Sequence, residues 1–525
     1  VIAPYSHYPA RAARSWPEQT AVIDGDRRVD YRELDERATQ LSRALIGLGL
    51  EPGQRVALVQ ENTIEYVRTV IAIARAGGAI VPLLGALTES EHSFMVNDSE
   101  ASFVVGLSAR GVERARAAAG GASVLSVAGD ATAGASTAAD HDLSALANKE
   151  TFERPSLDRP ATSLAQILYT SGTTGHPKGV THSYGSVAAA MSSWQTSFDV
   201  NPDDRLLGQL ALSHFGGRAM DTCWMGGATL VILPTPDLEE MIAAIEKHRV
   251  TMVLIIPTLL RMLLDHPGAE QADLSSLRAI VYAAAPAAPA LVKRAFERVG
   301  PVLYTGFGQT EAYALNTFMG PDEHAAALEQ EGEWLRSVGR ERPAFAQVRV
   351  VDESGAEAEV GETGEICVCA PWTTPGFWKR PELDEARLRN GWLYTGDLGH
   401  TDQRGYLYLD DRKEDKIITG GFNVYPAEVE SELAEHPAVA DCAVFAIPDP
   451  KWGEAIRAAV SLRPGASASE AELLAFCKER LARFKVPKAI DIMDELPRTP
   501  VGKIMRRALR EPHWKNAEGG VHGAE

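Results

Sequence analysis

The chemistry of this chain is concentrated first in eleven residues: Tyr169-Thr170-Ser171-Gly172-Thr173-Thr174-Gly175-His176-Pro177-Lys178-Gly179. They carry five hydroxyls, three glycines and one lysine. Glycine lets backbone N–H groups crowd around an anion, while hydroxyls and an ammonium add donors and positive charge. The apolar run from Ala165 to Leu168 just before them reads as a short buried strand. A strand that opens into such a loop makes a cradle for a polyphosphate. The order Gly-x-x-x-x-Gly-Lys-Ser/Thr is absent, so this is not a Walker A loop.

Three further strings follow. Tyr304-Thr305-Gly306-Phe307-Gly308-Gln309-Thr310-Glu311 comes after an apolar run at 301–304, Trp392-Leu393-Tyr394-Thr395-Gly396-Asp397 ends on a carboxylate after a glycine turn, and Pro497-Arg498-Thr499-Pro500-Val501-Gly502-Lys503 holds one lysine between proline and glycine. Taken in order with the first string, they resemble the motifs of the adenylate-forming superfamily: acyl-CoA synthetases, peptide-synthetase adenylation domains and firefly-type luciferases. The character is closest to that of acyl-CoA ligases. The resemblance extends to Tyr31–Leu34, Arg75–Gly78 and Asn423–Glu430, and so covers most of the chain.

The resemblance implies ATP, Mg²⁺ and CoA as cofactors and carboxylate adenylation as the first chemistry. It places ATP against Thr170, Ser171, Gly172, Thr173, Thr174, Gly175 and Lys178, and against Ala283, Ala284, Ala285, Gly306, Phe307 and Gly308. Phe307 offers a flat face to the adenine, and Gly306 and Gly308 let backbone approach the ligand. Thr310 donates to the α-phosphate, and Glu311 is a hard oxygen ligand for Mg²⁺. Asp397 and Arg412 meet the ribose and phosphate. Lys503 bridges the substrate carboxylate and the α-phosphate as charge builds. His214 gates an acyl pocket formed by Phe215, Gly216, Gly217, Met220 and Gly306; the catalytic set is Lys503, Thr310, Glu311 and His214. Gly420 and Gly421 line the CoA thiol path, and Glu414 is the hinge about which a small C-terminal domain rotates between the two half-reactions. The pocket segment is read as lacking a clear cation for a second substrate carboxylate, with Asp221 solvated or capping a helix, the alternative being that it meets a substrate amine.

One departure stands out. The family usually has Gly-Gly-Ala-Pro where this chain has Ala283-Ala284-Ala285-Pro286, and methyl groups beside adenine and acyl group overpack the site at about 1–3 kcal/mol each when nothing relaxes. The expected function is therefore an acyl-CoA ligase that forms a thioester from a bulky hydrophobic carboxylic acid through acyl-AMP. One alternative is an adenylation-impaired ligase that uses acyl-AMP made by a separate adenylating enzyme. Another is acyl transfer to a carrier protein. Luciferase-like oxidation and noncatalytic sensing are further readings, and the intact loop with Lys503 argues against the sensor.

The elements that must position these residues follow an α/β rhythm. Asp30 and Glu33 read as a capping box before a helix-period stripe at Leu34, Ala38, Leu41, Leu45 and Leu48, which Gly49 and Pro52 end. Apolar strands are expected at 56–59, 228–233, 252–256 and 279–282, separated by helical segments. The pattern changes to short strands and glycine turns at 348–372. The charged run at 409–416 reads as a linker. The fold class is thus α/β: a large N-terminal domain (1–412) of α/β layers with a β-rich subdomain, then a small mobile α+β C-terminal domain (415–525).

Composition agrees. With 525 residues and 45% apolar content, the chain can fill several cores. A formal net charge of −19 disfavours nucleic acid or an anionic membrane surface as partner. Five cysteines without a Cys-x-x-Cys pair point to free thiols and a cytoplasmic setting. No signal peptide and no membrane span are expected; the apolar stretch at 70–87 reads as helix, turn and strand.

Overall fold

The computed structural model describes residues 5–519, apart from 86, 128–137, 156–158, 171–176, 286, 331–332, 342–345, 413–414, 416, 420–421, 450–451 and 499–503. Among the described residues, two seven-stranded sheets form the large unit. One runs Leu303–Tyr304, Ala279–Tyr282, Met252–Ile255, Arg205–Gly208, Thr229–Ile232, Thr20–Asp24 and Arg27–Asp30. The other runs His141–Asp142, Ser123–Ser126, Ala101–Gly106, Arg55–Val59, Ala79–Leu83, Leu164–Thr170 and Lys178–Ser183. Each is parallel except for one antiparallel edge pair. The strands read as continuous apolar runs because helices cover both faces of such sheets.

The helix Tyr31–Gly47 begins where the sequence places it, but its cap is one-sided. Asp30 accepts from the Glu33 N–H at 2.7 Å, whereas the Glu33 carboxylate turns away to Arg68 at 2.5 Å. The stretch 70–87 is helix Ile64–Ala76, a left-handed Gly77 and strand Ala79–Leu83. No helix among the described residues is long and apolar enough to cross a membrane.

The β-rich subdomain is a five-stranded sheet built on Gln347–Val351, Gly364–Cys369, Leu388–Arg389, Trp392–Thr401 and Leu407–Arg412. Its core gathers Phe307, Ile366, Val368, Leu393 and Leu407. The charged run expected as linker is therefore strand in its first half, because Leu409–Arg412 pairs with Trp392–Thr401. A different sheet starts at Ile417–Thr419, joined by Phe422–Val424, Val439–Asp449, Gly453–Leu462 and Ala489–Met493. It has a core of its own, from Ile417 to Ile490. The chain thus changes sheets between Arg412 and Ile417. Cys223, Cys367, Cys369, Cys442 and Cys477 are all free, and Cys369 is only half-buried.

Candidate active site

The two ends of the first string lie on paired antiparallel strands. Thr170 closes the strand Leu164–Thr170, Lys178 opens the antiparallel strand Lys178–Ser183, and the two residues pair across the base of the loop. Ser171, Gly172, Thr173, Thr174 and Gly175 lie outside the described residues. At the base, the Thr170 hydroxyl is buried with no hydrogen-bond partner among the described residues. The Lys178 ammonium lies 3.7 Å from a Glu311 carboxylate oxygen and 5.5 Å from the centre of the Phe377 ring. The expected polyphosphate lysine and the expected Mg²⁺ ligand thus meet in space although 133 residues separate them.

The second string carries Thr310 and Glu311 in a single 3₁₀ turn, Thr310–Ala312. Glu311 is buried. The turn is held on both sides: Thr374 N–H donates to the Glu311 carbonyl at 2.7 Å, and His182 Nε2 lies 2.9 Å from the Thr310 carbonyl. Burial pushes the His182 pKa down to about 3. Its ring is therefore neutral, with Nε2–H donating to that carbonyl, and Nδ1 has no partner. Gly306 and Gly308 are required by the fold of the chain itself. A Cβ on Gly308 would stand 2.6 Å from the Ala314 carbonyl oxygen, and one on Gly306 would collide with that of Thr317. Both glycines let the chain fold back on itself. Phe307 likewise packs into the subdomain core, so most of its ring is committed there.

Asp397 enters from the β-rich sheet, where its backbone pairs directly with Arg412. Gln309 donates to its carboxylate at 3.1 Å, which ties the third string to the second. His214 follows Ala211 in a tight turn and its Nδ1 lies 2.8 Å from the Ser213 hydroxyl. The helix Gly217–Gly226 begins three residues later. Phe215 packs partly buried against the core beside Trp194, and Met220 is buried in that core. Of the alanine run, Ala283 is buried, while Ala284 and Ala285 are exposed. Ala284 adopts φ +72°. Glu414, Gly420, Gly421 and Lys503 lie outside the described residues.

The expectation for Asp221 is corrected. Arg218 on the same helix is buried and paired with it at 3.1 Å. Asp221 is not solvated, being 3% exposed, and burial pushes its carboxyl up to about 6, against the pull of Arg218. The Arg218 guanidinium lies 3.7 Å from the Tyr313 ring centre and donates to the Tyr313 hydroxyl at 2.8 Å. Burial alone would lower the Arg218 pKa, yet Tyr313 and Asp221 carry it upward. Spacing offered a signal, since residues three apart on a helix are neighbours, and Arg218 and Asp221 are so spaced.

Comparison with known proteins follows this geometry. Residues 9–378 match the AMP-binding enzyme family, and residues 428–503 match the AMP-binding enzyme C-terminal domain. The chain belongs to the AMP-binding enzyme family. A medium/long-chain-fatty-acid–CoA ligase, FadD8 of Mycobacterium tuberculosis, is 36% identical over 528 residues, covering 97% of this chain and 90% of that protein. A feruloyl-CoA synthase of Amycolatopsis is 36% identical over 507 residues, covering 96% and 98%. ATP-bound MatB from Rhodopseudomonas palustris superposes with a TM-score of 0.86 at 31% identity, covering 97% and 98%. The two-part α/β architecture is that of adenylate-forming enzymes, and the likeness to acyl-CoA ligases holds along nearly the whole AMP-binding chain.

Proposed function

We propose that this enzyme converts a bulky hydrophobic carboxylic acid to its CoA thioester through an acyl-AMP. As an AMP-binding enzyme whose relatives are CoA ligases, it is an ATP-dependent carboxylic acid–CoA ligase that uses ATP, Mg²⁺ and CoA. The observation that carries the assignment of residues is the meeting of Lys178 with Glu311, beside the Gln309–Asp397 bond. Cation, hard carboxylate and ribose acceptor come from three separate elements and converge.

In the first step the acid's carboxylate oxygen attacks the α-phosphorus and pyrophosphate leaves. A carboxylate is a weak nucleophile toward a polyanion, so the protein's task is positioning and charge compensation. Thr170 and Lys178, with Ser171, Gly172, Thr173, Thr174 and Gly175, hold the departing pyrophosphate. A buried, unpartnered hydroxyl at Thr170 and a hard carboxylate at Glu311 fit a metal–triphosphate. When bound, Mg²⁺ lowers the repulsion between that anion and the acid. Thr310 donates to the α-phosphate, Asp397 and Arg412 hold the ribose, and Lys503 offsets charge at the attacked phosphorus. In the second step the CoA sulfur attacks the acyl carbonyl and AMP leaves. The C-terminal domain turns about Glu414, removes Lys503, and brings Gly420 and Gly421 to the thiol path, while His214 gates the pocket. Phe215 supplies apolar lining, with Met220 packed behind it.

The test is a panel of acids scored separately for pyrophosphate release and for thioester formation, with Lys503→Ala alongside the parent enzyme. The variant should lose about 10²–10³-fold in pyrophosphate release, the scale of one preorganised charge-stabilising group, yet keep thioester formation from supplied acyl-AMP. Equal losses in both half-reactions would remove Lys503 from this role.

A further inference from the structure

Tyr313 stands two residues beyond Glu311 with φ +50° and ψ −30°. Few residues other than glycine adopt that region, and a bulky buried one does so only when its surroundings over-determine it. Its surroundings are unusually complete. The hydroxyl donates to Gln166 Oε1 at 2.9 Å and accepts from Arg218 at 2.8 Å. One face of the ring meets the Arg218 guanidinium, and the His182 ring lies 4.4 Å away. Its N–H donates to the Thr310 carbonyl at 3.2 Å.

The origins of these partners are the informative part. Gln166 lies on the strand that enters the polyphosphate loop, and His182 on the strand that leaves it. Arg218 lies on the helix that follows His214, and Asp221 holds it from one turn further on. Each segment that bears an expected ligand contact in the described large unit, apart from those of Asp397, Arg412 and the alanine run, therefore reaches this one side chain. Arg218 and Tyr313 are 8% and 7% exposed, so they act through Glu311 and Thr310 and not on the nucleotide.

We propose that Arg218 and Tyr313 form a positioning clamp, which fixes the Thr310–Glu311 turn in the orientation that receives Mg²⁺ and the α-phosphate. The inference rests on the roles given to Thr310 and Glu311 under the proposed function. Without the clamp, Tyr313 relaxes to negative φ, the preceding peptide planes rotate, and the Glu311 carboxylate leaves the place where a metal-bound triphosphate needs it. His182, fixed to the Thr310 carbonyl, anchors the other end of the same turn.

The test needs no knowledge of the acid. MgATP and metal-free ATP are titrated calorimetrically into the full chain for wild type, Tyr313→Phe, Arg218→Met, Arg218→Lys and the Tyr313→Phe/Arg218→Met pair, each with an unchanged circular-dichroism spectrum. Tyr313→Phe keeps the ring and loses both hydroxyl bonds. MgATP affinity should fall about tenfold, equivalent to about 1.4 kcal/mol, while affinity for metal-free ATP changes less than about twofold. The double variant should lose no more than the worse single variant, because both remove one device. Arg218→Lys, which keeps the charge but not the planar stack, should fall between wild type and Arg218→Met; should Arg218→Met not fold, this comparison stands in its place. A purely structural role would lower melting temperatures and leave the ratio of the two affinities at its wild-type value, and that result overturns the clamp. A wild type that binds MgATP but releases pyrophosphate with no acid overturns the proposed function alone. A wild type blind to MgATP overturns both.

Discussion

Tyr313 and Ala284 are both non-glycine residues in left-handed backbone, at φ +50° and +72°, and both stand beside segments assigned to ATP. The first is buried and tied by two hydroxyl hydrogen bonds and two ring contacts. The second is exposed and offers only a methyl group. An L-residue in this region costs about 1–2 kcal/mol. At Tyr313 surrounding contacts offset that cost and give it a use, namely the setting of a catalytic turn. At Ala284 nothing comparable is present, and the strain is simply carried. Strain marks a positioning device only where the packing explains it.

The largest effect that can break this comparison is expected from Tyr313→Gly. Glycine removes the backbone penalty, about 1–2 kcal/mol, but also deletes a buried aromatic ring worth about 3–5 kcal/mol. Urea unfolding should therefore show a net loss of about 1–4 kcal/mol. Stability equal to wild type would mean that the contacts around Tyr313 do not hold the turn, and the two left-handed sites would then be alike.

A smaller effect separates the two sites by pH. Burial pushes the Asp221 carboxyl up to about 6 from an ordinary value of 3.8, with Arg218 opposing. Tyr313, Tyr66, Tyr5 and Cys223 are the other titratable groups that face it. Because the folded pKa is raised, this group's contribution is fully present below the ordinary carboxyl range and is lost as pH rises through about 6. In Asp221→Asn the decline in urea midpoint across that window should shrink relative to wild type. Ala284→Gly touches no titratable group and should leave the slope unchanged. A slope in Asp221→Asn identical to wild type would show that Asp221 is not the group that titrates.

These sites also show what a sequence can and cannot disclose. The strand that leads into the Gly/Ser/Thr string was legible because its apolar run is contiguous, and local order is what a string preserves. The α/β layering was legible from apolar runs at the right spacing. Arg218 and Tyr313 were not, since their meaning lies in a contact between residues 95 positions apart. Gly306 and Gly308 read as sites of close approach, and the structure adds that chain approaches there: a glycine reports close approach, but not by itself what approaches. The charged run at 409–416 reads as a linker although Leu409–Arg412 is strand, because backbone pairing with Trp392–Thr401 is a long-range contact that a charged composition does not reveal. At Asp30 the one-sided cap arose because Arg68, 35 residues away, competes successfully for Glu33.

The smallest effect is expected at Ala284, and it decides most about the enzyme. Ala284→Gly trades a left-handed penalty of about 1–2 kcal/mol against glycine's extra freedom in the unfolded chain, about 0.5–1 kcal/mol. The net gain in stability should be about 0.5 kcal/mol, readable as a small rise in urea midpoint. Ala283 is a separate matter, since its methyl is buried and leaves Ala284 and Ala285 as the exposed pair. If the Ala284 methyl also crowds ATP, the variant should release pyrophosphate faster from acid and ATP, while thioester formation from supplied acyl-AMP stays constant. Stability and rate then separate two meanings of one methyl: strain alone moves the midpoint, whereas obstruction moves the first half-reaction. The wild type sets the scale. Conversion of acid, ATP and CoA at an ordinary rate of about 1–10³ s⁻¹ would leave no room for a half-ligase supplied by a partner enzyme, and the methyl would be only strain. Thioester formed solely from supplied adenylate, with recovery of acid-dependent pyrophosphate release in Ala284→Gly, would instead make one methyl group the difference between a complete ligase and half of one.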